Sequence, residues 1–294
     1  MSSTRQTVSM IGLGQMGSAL ATAVLVPDLD VSVWNRSVAK SEQLAAQGAA
    51  VAHSVSDAVS RSEVIVVCLR GYDAAEALFR DEDVAPLLAG KIVVQLGNGV
   101  PTEVAAAAAW FSGQGAAYLD GSIMSYPDTV GSEACQVLVS GDPSAFEQCR
   151  PIFDAIGGDI RFLGADPMAS AVINSSTLAF VYLNAHAFLT AAAMCDAADA
   201  PLDLLAELVG SFTSQMPPML EQYVAMIDSG RYDSTTLRLA TGADNLRAIA
   251  DFGRQSGVDT RLIETAVRTL DEAAEAGHGI NLAAVFETLR KPKD

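Results

Sequence analysis

Up to about residue 163 the chain alternates short β-branched runs with alanine-rich stretches. The segments TVSMI (7–11), VSVW (31–34), VIVVCL (64–69), KIVVQL (91–96), AAYLD (116–120), CQVLVSG (135–141) and IRFLG (160–164) read as strands. Most are apolar nearly throughout, with no regular alternation of polar and apolar positions. Between them, segments such as QMGSALATAVL and SVAKSEQLAAQ read as helices. Apolar strands separated by helices predict an α/β fold with a parallel sheet covered on both faces.

After Gly164 the strand pattern stops. Asp166-Pro167 can open a helix, since proline is tolerated in a first turn, and the helix is expected to run to about Ala198, ahead of Pro201. Its apolar residues, including Ile173, Leu178, Phe180, Val181, Leu183, Phe188 and Leu189, lie on nearly every face. A helix apolar all round needs cover all round. At about 1.5 Å per residue it is about 45 Å long, more than one modest domain can wrap. Burial between two copies, a homodimer, is therefore expected. The remainder reads as further helices. The expected organisation is a nucleotide-binding domain over 1–163, the long helix over 164–198, and a helical dimerisation and substrate domain over 199–294.

Composition narrows the partners. Of 294 residues, 35 are acidic and 18 basic, a net charge of −17 that disfavours nucleic acid and anionic membrane surfaces. The stretch from Thr177 to Met194 is interrupted by Asn184, His186 and Thr190, which argues against a membrane span. The first residues run directly into a strand, leaving no room for a signal peptide. Cys68, Cys135, Cys149 and Cys195 form no C-x-x-C pair and no metal-ligand spacing. No metal is expected, and a cytoplasmic location is.

Two stretches change the picture. IGLGQMG carries Gly12, Gly14 and Gly17 in G-x-G-x-x-G spacing, after a strand and at the mouth of a helix, as a dinucleotide-binding turn requires. The second strand then ends at Trp34, where an NAD enzyme places an acidic residue against the ribose 2′-hydroxyl. Here stand Asn35, Arg36, Ser37 and Lys40. A neutral amide does not repel a 2′-phosphate, and a guanidinium grips one with two parallel donors. Ser37 is expected to cap the next helix as well. NADPH is the expected cofactor, held by Gly12, Leu13, Gly14, Gln15, Met16, Asn35, Arg36, Ser37, Lys40, Cys68, Leu69 and Met124.

With GLGQMGSALA, VWNRSVAK, QLGNGVP, LDGSIMSYPDTVG and the long helix after LGADP in this order, the chain resembles the NADPH-dependent imine reductases, relatives of the β-hydroxyacid dehydrogenases. The resemblance implies a Rossmann domain, an interdomain helix, a helical C-terminal domain, and domain-swapped homodimers with the active site between subunits. Hydroxyacid dehydrogenases use a lysine near the start of the long helix. This chain has none between Lys91 and Lys291.

The resemblance also aligns Asn174 with a helix position that carries Asp or Tyr in imine reductases, and Tyr182 with a tyrosine of relatives that couple ketones with amines. An amide donates no proton at neutral pH, so Asn174 departs from the pattern. Asn174, Leu178, Tyr182 and His186 follow i, i+4 spacing and share one ribbon of the helix. Asn174 and Tyr182 are the candidate catalytic residues; for His186, helix–helix hydrogen bonding is the better reading. Leu178, Phe212, Met216, Met219 and Thr241 are candidate substrate contacts, with Gly242 beside the last. The expected activity is hydride transfer from NADPH to an imine or iminium carbon. Reduction of a small carbonyl compound and a catalytically silent NADPH-binding protein stay open as alternatives.

Overall fold

A computed structural model describes residues 5–290. Its strands are β1 (Gln6–Ile11), β2 (Leu29–Trp34), β3 (Ala50–Val51), β4 (Val64–Val67), β5 (Ile92–Leu96), β6 (Ala117–Ile123), β7 (Gln136–Gly141) and β8 (Asp159–Phe162). They form one sheet in the order β3-β2-β1-β4-β5-β6-β7-β8. The reversal of order between β1 and β4 makes the doubly wound switch point. Six strands run parallel, as the apolar runs imply, but β7 pairs antiparallel with β6 and carries β8 with it. No crossover helix separates β6 from β7, and a direct connection returns the chain antiparallel.

Helices cover both faces, which is why the strands are apolar on successive residues. They are α1 (Gln15–Ala23), α2 (Val38–Ala45), α3 (Val55–Arg61), α4 (Tyr72–Phe79), α5 (Pro101–Gly113), α6 (Pro143–Gln148) and α7 (Arg150–Ile156). Val64 and Val66 pack with α1, α6 and α7 on one side; Ile65 and Val67 pack with α3, α4 and α5 on the other. Phe79 and Phe111 meet edge to face at 5.4 Å in the second layer. Removing a fully buried ring such as Phe79 costs about 3–5 kcal/mol.

The long helix, α8 (Ala169–Asp196), starts three residues after Asp166. Its first two turns are docked on one face, with Ser170, Ala171 and Asn174 buried. The all-round burial expected for it does not arise within one chain, because Phe180, Val181, Tyr182, Leu183 and Leu189 are exposed. By length and composition α8 also reaches the range of a membrane span, with a mean hydropathy of 1.5 over its most apolar window, so its central polar residues do not remove it from that range.

The chain divides into two compact units within α8, one ending at Ala179 and one beginning at Phe180. The second unit adds α9 (Leu202–Thr213), α10 (Met216–Ser229), α11 (Leu239–Gln255), α12 (Arg261–Ala276) and α13 (Val285–Leu289). Its core is small: Tyr232, Leu239, Ala243, Leu270, Ala273, Ala283 and Ala284. Asn281 ties the approach to α11 to the C-terminal turn, donating from Nδ2 to the Ser234 and Thr236 carbonyls and accepting from the Ala283 N–H.

Candidate active site

The glycine turn between β1 and α1 is built by exclusion. Gly12 has φ +95°, and a Cβ there would run into the Cys68 carbonyl; one on Gly17 would strike the Gly12 carbonyl. At Gly14 a Cβ would meet nothing within 4 Å, so the turn's backbone is open at the N-terminus of α1. Gln15 is exposed there and Met16 half-buried. Leu13 is different: its side chain is wholly buried, and its N–H donates to Asn35 Oδ1 at 3.0 Å. Its role is therefore to brace the turn.

Asn35 works in both directions. While Oδ1 takes the Leu13 N–H, Nδ2 donates to the Ser37 carbonyl at 3.1 Å. A carboxylate lacks the second donation, which gives the amide a reason to be here besides its lack of charge. Ser37 holds the N-cap position of α2, but its hydroxyl makes no capping bond. The expectation of a side-chain cap therefore fails at Ser37, although the extended backbone there is the one that Ser54 uses to cap α3 with its hydroxyl. Trp34, Asn35, Arg36, Ser37, Lys40 and Leu69 line a cavity of about 500 Å³ beyond the end of β2. Arg36 and Lys40 are exposed and make no ion pair among the described residues, whereas many other arginines are tied to carboxylates. Arg70, after Leu69 in the same turn, is a further unpaired cation that the sequence pattern did not single out. Burial raises the Cys68 thiol to about 11, so it is an inert wall.

In the other half of the sheet lies a polar cluster that no sequence pattern announced. Asp120 of β6 is 1% exposed and stands level with Gln95 of β5, one residue before that strand ends. Its carboxylate accepts from the Tyr72 hydroxyl of α4 on one oxygen and from the Ser170 hydroxyl of α8 on the other. Ser140 of β7 joins Ser170 at 2.9 Å. Burial pushes Asp120 up to about 6, against the pull of these hydroxyls, and drives the Tyr72 phenol far above its ordinary range. The turn after β5 rests on the same tyrosine, since a Cβ at Gly99 would enter the Tyr72 ring. Asn174 lies one turn beyond Ser170 on the docked face of α8, 4% exposed. Met124, half-buried, follows β6 directly and donates its N–H to the Gln136 carbonyl.

Farther along α8 the expected ribbon becomes progressively open: Leu178 is half-buried and Tyr182 is 70% exposed. Thr177, Asn184 and Thr190 bond back to carbonyls four residues earlier, which satisfies them within the helix. In the second unit, Phe212, Met216 and Met219 come together in a groove of about 990 Å³, along with Asn184 and Tyr223. The Tyr223 hydroxyl is buried there without a partner. Thr241, on α11, is exposed and does not line that groove. His186 lines a separate cavity with Asp259 and Arg261. No cluster of metal-binding side chains occurs among the described residues.

Residues 7–164 match the family described as the NAD binding domain of 6-phosphogluconate dehydrogenase, and residues 166–291 match the NADPH-dependent reductive aminase-like C-terminal domain. The chain is similar to the NADPH-dependent reductive aminase of Aspergillus oryzae, with 29% identity over 98% of each chain. It is also similar to the solved imine reductase from Myxococcus stipitatus in complex with NADP+. That match has 30% identity over 97% of this chain and 100% of that one, with a TM-score of 0.89. The chain belongs to the imine reductase family. The V8 variant of the same Myxococcus imine reductase, in complex with NAD+, matches at 29% identity over 98% and 100%, with a TM-score of 0.91. In this imine reductase α8 carries no lysine, so it offers a hydroxyacid no amine to accept its proton.

Proposed function

We propose that the protein reduces C=N bonds to amines with NADPH. The observation that carries this reading is the full-length likeness to imine reductases and a reductive aminase, joined to two unpaired cations at the end of β2. The residues fit the cofactor. The open backbone at Gly14, at the N-terminus of α1, would receive the pyrophosphate, and Arg36 and Lys40 would hold the 2′-phosphate. When bound, NADPH supplies the hydride for the substrate carbon.

The chain's own residues then serve the nitrogen. Tyr182 has a hydroxyl that donates a proton or holds the nascent amine, whereas Asn174 orients through neutral hydrogen bonds. An iminium ion already carries its proton, and a chain of net charge −17 draws such cations. A second copy covers the exposed apolar residues of α8, and the active site forms where one copy's cofactor half meets the helical half of its partner. Phe212, Met216 and Met219 shape the substrate's apolar surroundings, while Leu178 lines the way from Asn174 to Tyr182.

NADPH oxidation across a panel of cyclic imines, ketone–amine pairs and small hydroxyacids tests the reading. Turnover is expected with imines and not with hydroxyacids. NADPH binding without oxidation by any of them would identify a silent binder.

A further inference from the structure

A buried carboxylate is costly unless its oxygens are bonded and its charge is met. Asp120 is such a group, and it pairs with no basic side chain among the described residues. Both of its oxygens are taken, one by the Tyr72 hydroxyl and the other by the Ser170 hydroxyl in the first turn of α8. The N-terminus of α8 adds the opposite partial charge. Ser140 completes the seat. Its oxygen accepts the Ser170 N–H at 3.0 Å, and its own proton lies between the Ser170 hydroxyl and the Pro167 carbonyl, each 2.9 Å away. Strands β6 and β7 thus hold one residue of α8 by its backbone and its side chain together. Tyr72 opens α4, and the turn after β5 rests on its ring, so the same carboxylate joins that turn to α8.

Asn174 stands four residues after Ser170, on the same face of the helix. It is 4% exposed, yet its amide makes no hydrogen bond among the described residues. No bond of its own therefore aims that amide, and its direction follows from how α8 is turned about its axis. A rotation of about 10° carries a group about 5–6 Å from the axis by about 1 Å. A displacement of that size is enough to change how a substrate is held. We infer that Asp120 is a positioning residue, which through the Ser170 hydroxyl sets the rotation of α8 and so the point at which Asn174 presents its amide to the substrate. This rests on the reductase reading, in which Asn174 orients the substrate. A carboxylate suits the task because it only accepts, so both hydroxyls are left a single direction in which to donate.

The test is a double-mutant cycle on the NADPH-loaded protein with Ser170→Ala, Asn174→Ala and both together. The probe is a cyclic imine with a methyl group on the imine carbon, whose reduction creates a stereocentre. Ser170→Ala removes the tether and keeps a strong helix former. It should shift the enantiomeric ratio of the amine at least about threefold, in the direction that Asn174→Ala shifts it. The double variant should match Asn174→Ala within about twofold, because the group being aimed is already gone. A ratio unmoved by Ser170→Ala, or shifts that multiply in the double variant, would overturn the proposal. A mere staple would lower the melting temperature of Ser170→Ala and leave the ratio as it is in the parent. A second readout needs no turnover. Crystal structures of the NADPH-loaded parent and Ser170→Ala should show the Asn174 amide displaced by about 1 Å relative to β6, and an amide left in place would equally overturn the proposal. Ser170→Cys, nearly the same size with a weak donor, serves both readouts should Ser170→Ala misfold. A parent that reduces no imine sinks the reductase reading, and the displacement then decides the tether by itself.

Discussion

The two units solve the same problem of covering apolar surface in opposite ways. The first wraps a sheet with helices on both faces, and its central strands are wholly buried. The second closes a core of mostly small side chains and leaves Val181, Leu183, Leu204, Leu208, Phe212 and Val224 exposed. Isolated exposed apolar residues are ordinary, but this many on neighbouring helices mark a surface meant to be covered. The first unit thus covers its apolar strands within one chain, while the second keeps an exposed apolar surface.

The sharpest way to break that contrast is to place a charge on the uncovered face. Leu183→Asp should prevent dimerisation, because an unpaired charge buried between copies costs several kcal/mol. Sedimentation should show monomers or aggregates of the variant, against a dimer for the parent. The same substitution on a surface that stays solvated would change stability by less than about 0.5 kcal/mol.

Next in size is Tyr182→Phe. It should lower turnover of a neutral imine by roughly ten- to ten-thousandfold if the phenol is the proton donor. Turnover of a permanently charged N-alkyl iminium should be nearly unchanged. Asn174→Ala should keep substantial activity on both, and equal rates of parent and Tyr182→Phe on the neutral imine would remove the phenol from the donor role.

A third prediction sharpens the first unit alone. Asp120 is raised from 3.8 to about 6 in the folded protein by burial. Between those values the folded state binds more protons than the unfolded one, so this group makes the protein less stable as pH rises through that window. The accumulated penalty at pH 7 is about 3 kcal/mol. Asp120→Asn keeps an acceptor and a donor for the two hydroxyls and cannot ionise. Denaturant melts should show the variant's advantage over the parent growing from pH 4 to pH 7; an advantage constant across that range would mean Asp120 does not titrate there.

The smallest effect is on cofactor choice. Arg36→Ala should weaken NADPH binding about ten- to over a hundredfold, the worth of a charge-assisted pair of roughly 1.5–3 kcal/mol, while NADH binding changes little. Titration of both dinucleotides by fluorescence decides it.

What the sequence made legible follows the same division. The glycine turn and the basic residues after β2 stand out because backbone contact and phosphate recognition restrict residue types within a few positions. The two-residue β3 was invisible, since Ala50–Val51 is too short to make a run. The reversal of β7 was equally hidden, because an apolar run carries no direction. Ser37 could be placed at a helix start, but whether its hydroxyl caps the helix depends on the side-chain rotamer, which residue type does not fix. Asp120, Tyr72 and Ser170 meet across sequence separations of 48 and 50 residues, and a lone acid in a strand has no periodicity to betray it. The apolar character of α8 was plain.

The central claim, hydride transfer to a C=N carbon, is tested most directly by isotope transfer. NADPH carrying deuterium at both C4 positions, incubated with the protein and a cyclic imine, should yield an amine with one deuterium on the former imine carbon and one oxidised cofactor per amine formed. Amine without deuterium, or bound cofactor that is never oxidised, would contradict the account.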